Sequence, residues 1–318
     1  MATVETVTGP IDAEEVGTTL IHEHLRFRDD AVAQQWPHLY DPDAEWTQAV
    51  EAARSALDRG VKTIAEPTVM FGGRDVEFLR RVAEETGLQM VASTGVYSYD
   101  YLPHFFENRD ADAMADCFVH DIEQGIQGTT VKAGFLKCAA DEPGVTDNVD
   151  KVHRAVARAS VRTGAPIMAH SRPASGTGPK QVQIFEEEGV ELSRVQIAHT
   201  GDTDDLDYIE RLLEKGVYIG MDRYGLEMFL PMDKRNATLS ALLERGHADR
   251  MFLSQDYCAT IDWFPQETIE QMVAGGMVKD WSMTLLFEQV IPTLKEAGMS
   301  DEQLRTMLEE NPKRWLGR

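Results

Sequence analysis

Eight short runs of β-branched and apolar residues recur along this chain, most of them followed by a longer stretch of helical periodicity. That alternation constrains the fold more than any other feature. The runs are 18–24 (TTLIHEH), 62–69 (KTIAEPTV), 89–97 (QMVASTGVY), 130–139 (TVKAGFLKCA), 165–171 (APIMAHS), 194–201 (RVQIAHTG), 217–223 (VYIGMDR) and 250–256 (RMFLSQD). The intervening WTQAVEAARSALDRG, RDVEFLRRVAEETG and NVDKVHRAVARASVRTG each end in the glycine expected at a helix C-cap. Strands that alternate with helices form a parallel sheet, and eight of them close a cylinder. The expected class is therefore α/β, a (β/α)8 TIM barrel forming a single domain over residues 1–318. A doubly wound open sheet competes, but no glycine-rich nucleotide turn follows the first strand. No Pro/Gly/Ser-rich linker divides the 318 residues. The piece after the eighth strand, 260–281, is too long for a plain βα loop and carries Trp263, Phe264 and Trp281, which marks it as functional. SRPASGTGPK, after the fifth strand, lacks the GxxxxGK[ST] pattern of a phosphate loop and reads as a flexible rim loop. EEEG (186–189) reads as a solvated helix face.

Composition narrows the partners. With 31 Lys+Arg against 54 Asp+Glu the formal charge is −23. This excess argues against sequence-independent binding of nucleic acid or an anionic membrane, which depends on basic side chains neutralising phosphate. Cys117, Cys138 and Cys258 form no CxxC pair and suit a reducing compartment. No 18-residue apolar run occurs, and the first residues lack the basic and apolar segments of a signal peptide. A soluble, cytoplasmic protein is expected.

In a barrel of this kind the active site is built where the strands end. The first run ends His22-Glu23-His24, and alternation sends both histidines to one face. The fourth run approaches its end at Lys137, the fifth at His170, the sixth at His199, and the eighth ends at Asp256. A lone histidine is usually a hydrogen-bonded core or surface group, as expected for His38, His104, His120, His153 and His247. Four histidines and an acid on one rim instead suggest a site for divalent metal ions. Lys137 is then anomalous, because an ammonium facing metal cations is repelled. It either points outward, its stem covering apolar surface, or carries carbon dioxide as an N6-carboxylate able to bridge two ions. Charge counting favours the carboxylate: with it, two divalent ions, Asp256 and a hydroxide sum to about +1, against about +3 for an unmodified lysine.

The pattern of HxH on strand one, lysine on strand four, histidines on strands five and six and aspartate on strand eight resembles the binuclear amidohydrolase superfamily. Within it the chain resembles the phosphotriesterase family, and more narrowly the phosphotriesterase-like lactonases. The narrower resemblance rests on LIHEHL (20–25), GFLKCAADEPGVT (134–146), HTGDTDD (199–205), MDRYG (221–225) and SQDYCATIDW (254–263). It implies that His22, His24 and Asp256 hold a buried metal, His170 and His199 a more exposed one, and carboxylated Lys137 with a hydroxide bridges them. Zinc is the first choice, with iron, cobalt or manganese as alternatives. Gln255, where many relatives have histidine, and Phe264 depart from the pattern without touching a proposed ligand. The resemblance further implies a homodimer.

The expected chemistry is attack on a lactone carbonyl by a metal-bridging hydroxide, with Asp256 relaying the proton to the leaving alkoxide. Tyr97 and Arg223 are the expected partners of hydroxide or substrate, although Arg223 also suits holding loops together. Leu226, Met228, Phe229, Cys258 and Trp263 are the expected apolar groove for an acyl chain, with Trp263 equally suited to a dimer contact. The leading expectation is a lactonase acting on N-acyl homoserine lactones and other lactones, with organophosphate triester hydrolysis as a side activity. A dedicated phosphotriesterase and a non-catalytic metal-binding barrel are the alternatives.

Overall fold

The protein is represented by a computed structural model that describes residues 2–318. All eight expected strands are present, and a hairpin that the sequence reading missed precedes them. The hairpin is β1 (Thr3–Thr6) with β2 (Gly9–Asp12). The barrel strands are β3 (Thr19–Leu20), β4 (Thr63–Glu66), β5 (Gln89–Gly95) and β6 (Phe135–Ala139), then β7 (Ile167–His170), β8 (Val195–Ala198), β9 (Tyr218–Met221) and β10 (Met251–Leu253). They pair in parallel in the order 10-9-8-7-6-5-4-3. Helices such as Pro42–Asp58, Val76–Thr86 and Asp147–Thr163 return the chain between strands. Gly87 and Gly164 cap the last two in the left-handed conformation, at φ of 80° and 71°.

Alternation along each strand divides the core in two. Ile21, Ala65, Val91, Phe135, Met168, Ala198, Tyr218 and Phe252 fill the cylinder, with Trp315 beneath them. Leu20, Ile64, Leu136, Ile167, Ile197 and Leu253 face outward into the helix layer. The hairpin contributes Val4 to the inner layer, and Thr3 exchanges backbone hydrogen bonds with Arg318, tying the two ends of the chain across the bottom of the barrel.

Closure between β3 and β10 occurs beyond their regular ends. Asp256 N donates to His22 O at 3.1 Å, His24 N to Tyr257 O at 2.7 Å, and Ala259 N to His24 O at 2.9 Å. The seam of the barrel is thus stitched by the backbone of the residues expected to bind metal. His22 and His24 leave the short β3 yet keep its alternation. Glu23 turns the other way to accept hydrogen bonds from Ser254, Gln255 and Tyr257.

One local expectation is corrected and two are filled in. The SRPASGTGPK segment is no flexible loop: it forms a turn at Pro173–Ser175 and the first residues of helix Thr177–Glu187, with Thr177 fully buried. The 260–281 segment contains a helix, Gln266–Ala274. In the acidic run, Glu187 and Glu188 bind Arg154, and Glu188 also binds Arg158, so that face is an ion-pair network between neighbouring helices.

Candidate metal centre and active site

The expected strand-end groups converge at the C-terminal mouth. His22, His199 and Asp256 present donor atoms within 4.8 Å of one another. Asp256 Oδ1 lies 3.4 Å from His22 Nε2 and 3.3 Å from His24 Nε2, and Asp256 Oδ2 lies 3.8 Å from His199 Nε2. Lys137 is fully buried, with Nζ 3.1 Å from His22 Nε2, so the outward-pointing alternative is excluded. His170 joins through His199, their ring centroids 4.5 Å apart. Glycines make room for this crowding. A side chain at Gly95 (φ 146°) would meet the Lys137 carbonyl at 1.8 Å, and one at Gly220 would meet the Asp222 carboxylate at 2.3 Å. His199 and Asp256 themselves adopt left-handed backbone conformations, φ 62° and 52°, which costs on the order of 1–3 kcal/mol for a non-glycine residue and is typical of functional sites.

What the imidazoles can do follows from which nitrogen is already engaged. Fully buried Asp222 accepts from Nδ1 of both His22 and His199, each at 3.0 Å, and from the His199 amide at 2.8 Å. Thr68 Oγ1 holds His24 Nδ1 at 2.7 Å and donates its own proton to Glu66 at 2.5 Å. These contacts place the proton on Nδ1 and leave an Nε2 lone pair on each of the three rings. Those lone pairs face the Asp256 carboxylate, another acceptor; His22 Nε2 also has Lys137 Nζ at 3.1 Å, while His199 Nε2 is buried without a partner among the described residues. Burial also pushes the His22 imidazole down to about 4 and His199 well below its usual value, so both rings are neutral at pH 7.

Acceptors facing acceptors repel unless a cation lies between them. The Asp256 separations from His22 and His24, 3.4 and 3.3 Å, match the edge of about 3.3–3.6 Å expected between donors that share a tetrahedral ion at 2.0–2.2 Å, and the 3.8 Å separation from His199 is slightly longer. The donor set therefore fits a divalent metal ion. His170 is turned the other way: Asp141 accepts from Nε2 at 2.8 Å, leaving Nδ1 directed at the Tyr97 hydroxyl, 3.1 Å away. Burial holds the Tyr97 phenol protonated, with its pKa well above the usual tyrosine value.

Arg223 reaches the site differently from the expected substrate donor. Its Nε donates to Asp256 Oδ2 at 2.9 Å and its Nη1 to Asp202 at 3.1 Å, with the Phe229 ring 4.5 Å away. It braces Asp256 as well as lining the cavity. Leu226, Met228, Phe229, Cys258 and Trp263 all line that cavity, a space of about 410 Å³ above the donor cluster. The helix after β10 supplies Ile269 and Met272 as a further apolar wall. Trp263 remains 41% exposed while packing edge-on against Phe27 at 4.8 Å.

Of the histidines set aside, His104 and His120 are exposed, and His153 is a buried core group bonded to the Val149 carbonyl. Sequence reasoning missed Asp222, Thr68, Asp141 and Tyr99. Asp222 sits beside Arg223 at the end of β9, and a polar residue entering a strand-end position was a signal available for it. Nothing local marked Thr68.

A family model described as the phosphotriesterase family matches residues 2–316. The chain is 49% identical over 306 residues to an aryldialkylphosphatase of Saccharolobus solfataricus, covering 96% of each chain. It is 42% identical over 322 residues to a phosphotriesterase homology protein of Mycobacterium tuberculosis, covering 99% of this chain and 97% of that one. The solved structure of the phosphotriesterase from Mycobacterium tuberculosis superposes with a TM-score of 0.93 at 42% identity, over 99% of this chain and 98% of that chain.

Proposed function

From the premise that this chain belongs to the phosphotriesterase family, we propose that it is a binuclear-metal hydrolase that opens lactone rings, N-acyl homoserine lactones among them, and cleaves organophosphate triesters as a side activity. The observation that carries this reading is the apolar cavity set directly over the donor cluster. An acyl chain would lie against Leu226, Phe229, Met272 and Trp263 while the lactone carbonyl points down at the histidines. Divalent ions held by His22, His24, His170, His199, Lys137 and Asp256 would polarise that carbonyl and acidify a water.

Lys137 suits the N6-carboxylate form. Burial lowers its amine to about 8, which raises the share of the nucleophilic neutral amine at pH 7. Its polar neighbours, His22 Nε2 and Met168 Sδ, are too few for a buried ammonium with three donors. The protonated Tyr97 hydroxyl supplies a hydrogen bond to the ring oxygen or carbonyl. Asp256 takes the proton of the attacking water at Oδ2, the oxygen Arg223 contacts, and passes it to the leaving ring oxygen. In a lactone that oxygen stays tethered, so no second product must leave.

The same site can stabilise a phosphoryl transition state, which shares charge and shape with a tetrahedral carbonyl adduct. The similarity to a protein named aryldialkylphosphatase supports the rival reading, a dedicated phosphotriesterase. Comparing kcat/KM for acyl homoserine lactones, simple γ- and δ-lactones and a phosphotriester separates the two. Lactones are expected to lead by at least tenfold; a triester ahead of every lactone moves the assignment to the rival. We also propose a homodimer, supported by the exposed Trp263, Phe264 and Met277 on this rim. Sedimentation equilibrium should give twice the 35.6 kDa chain mass, and the mass of a single chain removes the dimer.

A further inference from the structure

At the opposite end of the barrel from the metal centre is a second cavity, of about 490 Å³, between the start of β9, the start of β10 and the last helix. Most arginines in this acidic protein pair with a carboxylate. Arg194, Arg250 and Arg314, which line this cavity, pair with none among the described residues.

Arg194 is pinned by three carbonyls: Nη1 donates to Arg314 O and Gly317 O, each at 3.1 Å, and Nη2 donates to Gly164 O at 3.2 Å. Carbonyls fix the guanidinium without neutralising it. Arg314 likewise donates to Asp249 O, at 3.4 Å, and to Asn311 Oδ1. The Arg250 guanidinium donates to no protein group among the described residues and lies over the Tyr218 ring, 5.1 Å from its centroid.

Tyr218 is the floor. It is 3% exposed and stacks on Phe252 at 4.7 Å inside the barrel, yet its hydroxyl is neither hydrogen-bonded nor sealed off. A buried phenol with an unused donor, beneath three guanidiniums without counter-charges, is the chemistry of an oxyanion receptor. Glu191 and Asp249 also line the cavity. Both sit beyond ion-pair reach of the arginines, and Glu191 Oε1 already accepts from Ser193 at 2.5 Å. A second anionic group would be repelled there, whereas hydroxyls would find acceptors.

We propose that this cavity binds a phosphate monoester of a small polyhydroxy compound, with the phosphate on Arg194, Arg250, Arg314 and the Tyr218 hydroxyl and the hydroxyls toward Glu191 and Asp249. The proposal is independent of the hydrolase reading, since none of these residues lines the metal cavity.

Calorimetric titration of the metal-loaded protein with inorganic phosphate and with glycerol 3-phosphate, at constant ionic strength, tests it. Both are expected to bind saturably, glycerol 3-phosphate the tighter, and glycerol not at all. Arg250→Ala and Tyr218→Phe should each weaken this binding at least tenfold and leave hydrolytic kcat/KM unchanged. Phosphate bound only in the metal cavity would survive both substitutions undiminished, and that result overturns the proposal, as does the absence of saturable binding to the unsubstituted protein.

Discussion

Asp256→Asn lowers kcat by about 10²–10⁴-fold, the usual worth of a positioned proton carrier, while KM for a lactone changes by less than about threefold. The amide keeps one oxygen for the ion-binding side but can no longer accept a proton. Its NH2 group, if turned toward Arg223, would also set a donor against the Nε that now bonds Oδ2 at 2.9 Å. With its one oxygen kept toward the ion-binding side, the asparagine gives up the Arg223 brace. Metal content by elemental analysis should stay near that of the parent protein, because four imidazoles and Lys137 remain. A kcat within threefold of the parent, with metal retained, removes Asp256 from proton transfer; loss of the metal would show instead that its carboxylate is chiefly a ligand.

Stripping the divalent ions with a chelator abolishes hydrolysis of lactone and triester alike, and adding back zinc, cobalt or manganese restores both together. The same treatment lowers the melting temperature by about 5 °C or more, the shift expected when a ligand present at roughly a thousandfold its Kd is withdrawn from a chain of this size. The reason lies in the donor geometry. Without a cation the Nε2 lone pairs of His24 and His199 face Asp256 at 3.3 and 3.8 Å, and His199 Nε2 has no other partner. Because His22, His24 and Asp256 also stitch the seam of the barrel through their backbones, their repulsion acts on the closure itself. Full activity after exhaustive chelation, with no divalent ions found by elemental analysis, would end the metal reading.

These expectations were partly legible before any coordinates. Alternation of apolar runs with amphipathic stretches is a local property, written in residues two to four apart, and it marked all eight barrel strands. It failed where local propensity is weak. The β3 strand is two residues long, and the run from 130 forms regular strand only from Phe135. Glycines in the segment after His170 suggested a loop, but Gly178 is packed tightly, with an added side chain reaching the Tyr208 hydroxyl at 2.7 Å, and the segment belongs to a helix. Burial against a neighbouring helix overrode propensity there.

By itself, then, the sequence determined the parallel alternation and, through it, the site. In a closed parallel barrel all strand ends share one mouth, so six side chains scattered from His22 to Asp256 had to meet. Only the tertiary structure decided which nitrogen of each imidazole is free, that Arg223 braces Asp256, and that three arginines without a carboxylate partner among the described residues gather around Tyr218. Each of these depends on a contact between residues remote in the chain, such as His22 with Asp222, 200 positions apart. Side-chain periodicity tells which face of a strand a residue occupies, but it carries no information about which distant group stands opposite.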